Sequence, residues 1–553
     1  MPEATLVIRN ASIVDGTGAP AFAGDLAILG DRISAVGHFG GRGVHEIDAR
    51  GHVLAPGFID IHTHFDPQLC WDGLATPSIE HGITTVVIGN CSLSLAPVRP
   101  GAHGKLVSMF AVIEDIKKPT FDAAVPFSWE SFGEYLAHVR PTLGVNVGAL
   151  IGHSALRLYV MGAASQERVA TDAELAEMCR LVEEAMAAGA LGISSSYVDI
   201  DENMKPVPSR FADVREKIAL CKAMMKAGRG VFQVVPYFPD PAQQLANIRE
   251  LGEISRASGA LCSLQPILSS PASPLAADSI AALELERASG ARVFGQVMPR
   301  CFDLNMRLAE TSMLLFALPG WKAIMDRPKS ERVALFGGRR PALVAELKGA
   351  LGMSSALPFL RVGFARAPEN QQYRGRVLAE IAQSEGKELG DVILDIALRD
   401  DLETEFQLKD ALNADKPSVA KLLDHPLLHF GASDAGAHIT QFCGTGDTTH
   451  LLEHYVRNTQ QMTLERAVHR MTGELARDWG FADRGVIAVG KAADLVLFDP
   501  ARVSCAAEEF VNDFPGEASR YVRRGSGYDA VIVNGEIVLR DGKYTEARPG
   551  RVV

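Results

Sequence analysis

The residues best suited to chemistry are His62 and His64, which close the apolar run Gly57-Phe58-Ile59-Asp60-Ile61. Side chains two apart on a strand face the same side, so both imidazoles can converge on one metal ion. Far along the chain, Gly431-Ala432-Ser433-Asp434-Ala435-Gly436 ends another apolar stretch with a carboxylate. Asp434 is expected to complete a metal site with the two histidines and to serve as general base, taking a proton from water activated at the ion. Capping of a following helix is its competing role. Cys91 directly follows the run Ile83 to Asn90. As a thiolate it is a further ligand, and as a thiol it is a buried core residue.

Other candidates stand at the ends of similar runs. His153 can polarise a carbonyl or hold a ligand, and a hydrogen-bonded core histidine is the equal alternative. Ser195 and Tyr197, in Ser194-Ser195-Ser196-Tyr197, can donate to a substrate carbonyl. No GxSxG elbow surrounds these serines, which argues against a nucleophilic one. Gln233 and Gln265 offer hydrogen bonds or are structural amides. For binding a substrate carboxylate the candidates are Arg157, Arg210 and Arg300, because guanidinium meets carboxylate bidentately. Each of the three has helix packing as its bland alternative.

Elements that could position these residues are legible as eight short apolar runs at 57–64, 83–90, 146–153, 190–196, 230–236, 260–266, 291–299 and 428–436. They alternate with helical stretches, the mark of an α/β chain, and eight such units close a (β/α)8 TIM-like barrel whose chemistry sits at the carboxyl ends of the strands. One helix is predicted in detail: Thr171 and Glu174 form a capping box, Leu175, Met178, Leu181, Val182 and Met186 recur on one face, and Gly189 stops it. Residues 1–55 and 485–553 carry β-branched runs with Asn534-Gly535 and Asp541-Gly542 hairpin signals, so the two ends are expected to build one small antiparallel β-sandwich. The barrel then spans 56–484, with a helical subdomain inserted at about 300–427 over its mouth.

Lys and Arg number 55 against 67 Asp and Glu, a net charge of −12 without a long run of either sign, which excludes nucleic acid or an acidic membrane as the main partner. A small molecule is the expected partner, and a homo-oligomer is compatible with the composition. Eight cysteines without a CxxC pair make no disulfide framework. With no signal peptide evident and no long apolar span, the protein reads as cytoplasmic.

The segments APGFIDIHTHFD, GITTVVIGNCSLSLAP, LIGHSALR, GALGISSSY, ASDAGAH and GVIAVGKAADLVLFDP resemble the amidohydrolase superfamily. GNCS and the 378–401 stretch resemble, within it, the D-aminoacylase (N-acyl-D-amino-acid deacylase) group. The resemblance implies a metal-bearing barrel flanked by a β-sandwich that hydrolyses the amide of N-acyl D-amino acids. It carries over His62, His64, Cys91 and Asp434 as metal-site residues. It also implies two further histidine ligands from strands five and six, yet no histidine occurs from 154 to 424, and Gln233 and Gln265 stand in the equivalent runs. An arginine expected after the Asp434 box is replaced by Ile439-Thr440-Gln441-Phe442-Cys443. The reading is therefore a hydrolase of linear amides in N-acyl compounds, using one divalent ion, Zn2+ by preference. Its rivals are a cyclic amide or lactone hydrolase or decarboxylase on the same barrel, and a barrel that binds without turnover.

Overall fold

The computed structural model describes residues 4–316, 318–350 and 356–553. All eight runs form strands: Phe58–Asp60, Ile83–Ile88, Asn146–Gly152, Gly192–Ser196, Val231–Val235, Leu261–Leu264, Val293–Val297 and Leu428–Phe430. They pair in parallel in chain order, and helices such as Asp172–Ala188, with the predicted capping box and Gly189 stop, cover them. Strands buried on both faces give such continuous apolar runs. The first and eighth strands meet beyond their assigned ends, where Thr63 bridges Ala435 and the His64 N–H donates to the Ala435 carbonyl at 2.7 Å. The barrel is thus closed by residues adjacent to His62, His64 and Asp434.

At the opposite end the interior is filled. Ile59, Val87, Leu150, Val231 and Phe294, from the first, second, third, fifth and seventh strands, pack with Trp479 and Phe481. Trp479 is 2% exposed. Trp479→Ala should cost about 3–5 kcal/mol in urea unfolding through the cavity it leaves, with the metal stoichiometry of the folded fraction unchanged.

Both chain ends contribute to one nine-stranded sheet, joined where Val53–Pro56 pairs antiparallel with Leu495–Phe498. It curls about a core of Leu6, Ile8, Leu26, Leu54, Leu495 and Ile532 until Arg32 meets Ala492. The expected wholly antiparallel pattern is corrected: Ala4–Ile13 runs parallel to Gly43–Asp48 and to Val53–Pro56, because the connections between them cross over rather than turn back directly. Asn534, Gly535, Asp541 and Gly542 all have positive φ, as the predicted tight hairpins require. The chain's last residues return to the barrel: Gly550 N–H donates to Leu143 O, Val147 N–H to Arg551 O and Val553 N–H to Val147 O, at 2.8, 2.8 and 2.9 Å. They occupy the start of the third strand, ahead of Leu150, where the fourth begins to pair.

The segment expected to be helical is mixed. Phe302–Met306, Phe406–Leu412 and Arg361–Val362 form an antiparallel sheet. Helices including Pro319–Met325, Lys329–Gly338 and Leu389–Arg399 share a core with it around Met306, Trp321, Phe336, Ile393 and Phe406. The alternation in Phe406-Gln407-Leu408-Lys409 is four residues of strand pattern in a long helix-forming tract, too brief to stand out. Phe302, Met313, Phe316 and Leu412 of this insertion wall a cavity at the barrel mouth.

Candidate metal centre

His62 and His64 reach the mouth on the extension of the first strand, and barrel closure brings Asp434 opposite them. His62 Nε2 lies 3.2 Å from His64 Nε2 and 2.9 Å from Asp434 Oδ1; His64 Nε2 is 3.5 Å from the same oxygen. Cys91 Sγ completes the group at 3.7 Å from His62 Nε2 and 3.9 Å from His64 Nε2. Side-chain latches hold the register. Ser433 Oγ donates to Asp60 Oδ2 at 2.7 Å, and Asn90 Nδ2 donates to the carbonyls of Thr63 and Val87 at 3.1 and 3.0 Å.

The backbone is bent to make this possible. Cys91, Ser92, Ala432, Asp434 and His438 all have φ between 47° and 65°, left-handed values that cost a non-glycine residue on the order of 1–3 kcal/mol each. Gly89, at φ 80°, starts the turn into Cys91, and a Cβ there would lie 2.0 Å from the Leu150 carbonyl oxygen.

These donor atoms suit a transition metal. Ligands about a tetrahedral Zn2+, with bonds of about 2.0 Å to nitrogen or oxygen and 2.3 Å to sulfur, stand roughly 3.3 to 3.6 Å apart, close to the 3.2, 3.7 and 3.9 Å that separate His62 Nε2, His64 Nε2 and Cys91 Sγ. The distal ring nitrogens fit as well. Gln233 holds its amide 3.1 Å from His62 Nδ1 with Oε1 buried and unpartnered; turning that amide over gives His62 Nδ1–H an acceptor and leaves the Nε2 lone pair for a metal. His64 Nδ1 faces Glu114 Oε1 at 3.1 Å, out of line for a full hydrogen bond.

Electrostatics point the same way. Burial pushes the Cys91 thiol well above its ordinary range, and Glu114, Asp199 and Asp434 nearby add to the shift. Burial likewise lifts Glu114 well up, Asp60 to about 7 and Asp199 to about 6, while it lowers His64 to about 4. For Asp434, burial works upward, but hydrogen bonds from His62 and His64 prevail and hold its carboxyl well below the usual range. Such a surplus of buried acidic groups around two imidazoles is relieved by a cation.

Of the candidate site residues, His62, His64, Cys91, Asp434, Gln233 and Gln265 come together; Gln265 Nε2 lies 3.8 Å from Cys91 Sγ. His153, Arg157, Ser195 and Tyr197 do not. The third strand runs straight into the helix His153–Met161, which turns the imidazole away from the mouth. His153 Nε2 and Nδ1 are taken by Glu216 Oε1 at 2.8 Å and Ser195 Oγ at 3.0 Å. Arg157 clasps both oxygens of Glu216 at 2.6 and 2.5 Å, and Tyr197 donates to Glu250 Oε1 at 3.0 Å. Arg210 is spent on the carbonyls of Val198 and Asp199, and Arg300 on Asp447 and the Ser433 carbonyl. The residues that sequence reasoning missed are Glu114, Asp199 and His438, which line the cavity beside Asp434.

The Glu216 cluster carries its own prediction. Burial raises its carboxyl, but His153 and Arg157 outweigh that and bring it down to about 2 from 4.5. Its stabilisation is complete above about pH 4.5 and lost as pH falls toward 2, an effect of about 3 kcal/mol. Glu216→Gln should cost about 3–5 kcal/mol at pH 7 by stranding buried Arg157, and should flatten the pH 4.5-to-2 limb in urea titrations.

The profile of the amidohydrolase family matches residues 45–304 and 359–539. A D-aminoacylase of Alcaligenes xylosoxydans xylosoxydans is 31% identical over 99% of this chain and 97% of its own length. An N-acyl-D-aspartate deacylase of the same organism is 30% identical over 100% and 95%. A solved D-aminoacylase, described for a binuclear metal centre with one-metal activation and second-metal attenuation, superposes with a TM-score of 0.68 at 27% identity, covering 99% of each chain. The N-acyl-D-glutamate deacylase of Bordetella bronchiseptica, solved with zinc and a phosphonate inhibitor, shares the fold at 24% identity and a TM-score of 0.68, again over 99% of each chain. Profile, full-length identity and fold agree: this chain belongs to the amidohydrolase family.

Proposed function

We propose that this protein hydrolyses the C–N amide bond of linear N-acyl compounds, the class to which the substrates named for its D-aminoacylase relatives belong, with one divalent ion, Zn2+ by preference, held by His62, His64, Cys91 and Asp434. The observation that carries this reading is the cluster of His62, His64 and Cys91 donor atoms at the barrel mouth, with Asp434 Oδ1 beside both imidazoles. A single ion is favoured because strands five and six offer the amides of Gln233 and Gln265, which make hydrogen bonds where imidazoles would ligate.

When bound, the ion polarises the acyl carbonyl and brings the pKa of water toward about 7. Asp434, ionised and facing the cavity, takes the proton from the attacking water and returns it to the nitrogen as the C–N bond breaks. The products are a carboxylic acid and an amine. Gln233 orients His62 through Nδ1, and Glu114 faces the corresponding nitrogen of His64. Phe302, Met313, Phe316 and Leu412 of the insertion wall one side of the cavity with apolar side chains.

The intact donor set supports catalysis over a barrel that binds without turnover. All eight cysteines are free thiols, which supports a reducing compartment such as the cytoplasm, and among the described residues no helix is long and apolar enough to cross a membrane. The test is metal analysis with an amine-release assay on N-acyl compounds and cyclic imides. About one ion per chain and turnover of linear amides are expected; turnover confined to the cyclic compounds would reject the reading.

A further inference from the structure

The cavity that opens on the metal-binding cluster has a volume of about 530 Å³. Its walls are largely aliphatic, with Ile113, Val198, Ile200 and Ile267 among them. Its ionisable lining is acidic apart from Cys91 and His438: Glu114, Asp199 and Asp434 line it, and among the described lining residues there is no Arg and no Lys. The guanidinium nearest in sequence to Asp199, that of Arg210, is committed to the backbone carbonyls of Val198 and Asp199. A carboxylate entering this space beside Asp199 would leave water for aliphatic walls with no guanidinium or ammonium group among the described lining residues to receive it, an unfavourable way to bury it.

Three polar atoms on the same surface are buried without a hydrogen-bond partner in the protein: Glu114 Oε1, which faces His64 Nδ1, and Asp199 Oδ2 and His438 Nδ1. Asp199 is held by local structure, since it follows the fourth barrel strand and its N–H donates to Ser196 Oγ at 3.0 Å. An unsatisfied buried acceptor fixed in a binding cavity selects for a ligand that donates to it and against one that cannot.

We propose that the amine half of the substrate carries a hydrogen-bond donor, a carboxamide or an ammonium group, and no carboxylate, and that Asp199 is the residue that sets this preference. The inference rests on the amide-hydrolase reading above and narrows its substrate class. Asp199 accepts from the donor group, the aliphatic walls take the acyl chain, and the scissile carbonyl lies at the His62, His64, Cys91 and Asp434 cluster. The relatives named for N-acyl-D-aspartate and N-acyl-D-glutamate would then differ from this chain in the sign of charge that their sites favour.

The test uses the Zn2+-loaded full chain and three compounds sharing one acyl group: N-hexanoyl-D-leucine, N-hexanoyl-D-leucinamide and N-hexanoyl-1,4-diaminobutane. The carboxamide or the ammonium compound, or both, should exceed the carboxylate in kcat/KM by tenfold or more, and the two arms tell a neutral donor from a cationic one. Asp199→Asn should bring that ratio to within about threefold of one. Calorimetry with the matching non-hydrolysable sulfonamides gives the same comparison without turnover. If nothing is hydrolysed, the activity proposed above fails, and the order of binding still decides this inference. Equal or tighter binding of the carboxylate analogue overturns it, and so does a ratio unmoved by folded Asp199→Asn. Should that variant not fold, the order of preference in the unaltered protein decides.

Discussion

Asp434→Asn is expected to lower kcat by roughly 10^3- to 10^4-fold on an N-acyl substrate while leaving most of the metal bound. Asparagine keeps the shape of the side chain and an oxygen toward His62, so the cluster should persist. What it lacks is basicity. Asp434 is the one carboxylate of the cavity that two imidazoles hold well below the usual range, whereas burial lifts Glu114 and Asp199 in the other direction. Neither stands against both imidazoles, so neither can take over at the same place. Metal content measured on the same sample separates the two roles of Asp434: a loss of turnover that merely tracks lost metal would make it a ligand alone, and kcat within tenfold of the unaltered protein would remove it from the reaction.

Stripping the ion, by chelation or by His62→Ala with His64→Ala, should take turnover to background, a loss larger than the roughly 10^4-fold limit of acid–base catalysis alone. Readdition of Zn2+ should restore the chelated enzyme and not the double variant. Affinity for the ion should also depend on pH in a direction that Cys91 fixes. The free thiol is held well above its ordinary value, so binding expels its proton, and affinity should weaken by about tenfold for each unit of falling pH. His64, lowered to about 4, is already neutral over pH 5 to 8 and adds nothing to that slope. Cys91→Ser should weaken binding and flatten the dependence. A slope that survives this substitution would remove the thiolate from the ligand set.

The eight strands were legible because a parallel strand buried on both sides has little choice but an unbroken apolar run. The His62-His64 pair was legible because a two-residue interval at the end of such a run has a fixed geometric meaning. The same reasoning misplaced His153 and Arg157: a strand end that passes directly into a helix leaves its last side chains among the covering helices, where Glu216 of Val214–Met225 meets them. Glu114 and Asp199 carried no local signal. Each follows an apolar segment in a loop whose path over the mouth depends on contacts far away in sequence, and an acidic residue in a loop is ordinarily solvated. His438 sits four residues past Asp434 on a left-handed turn that no periodicity announces. The insertion sheet was hidden by brevity, its strands being two to seven residues long.

The return of residues 550–553 to the third barrel strand sets an order of events during synthesis. A ribosome emits the strands from first to eighth, yet the backbone amides at the foot of the third stay open to solvent until residues 550–553 have also emerged. A prematurely terminated product short of those residues would expose an unpaired stretch of Val147 and its neighbours, the kind of edge that chaperones grip and proteases trim.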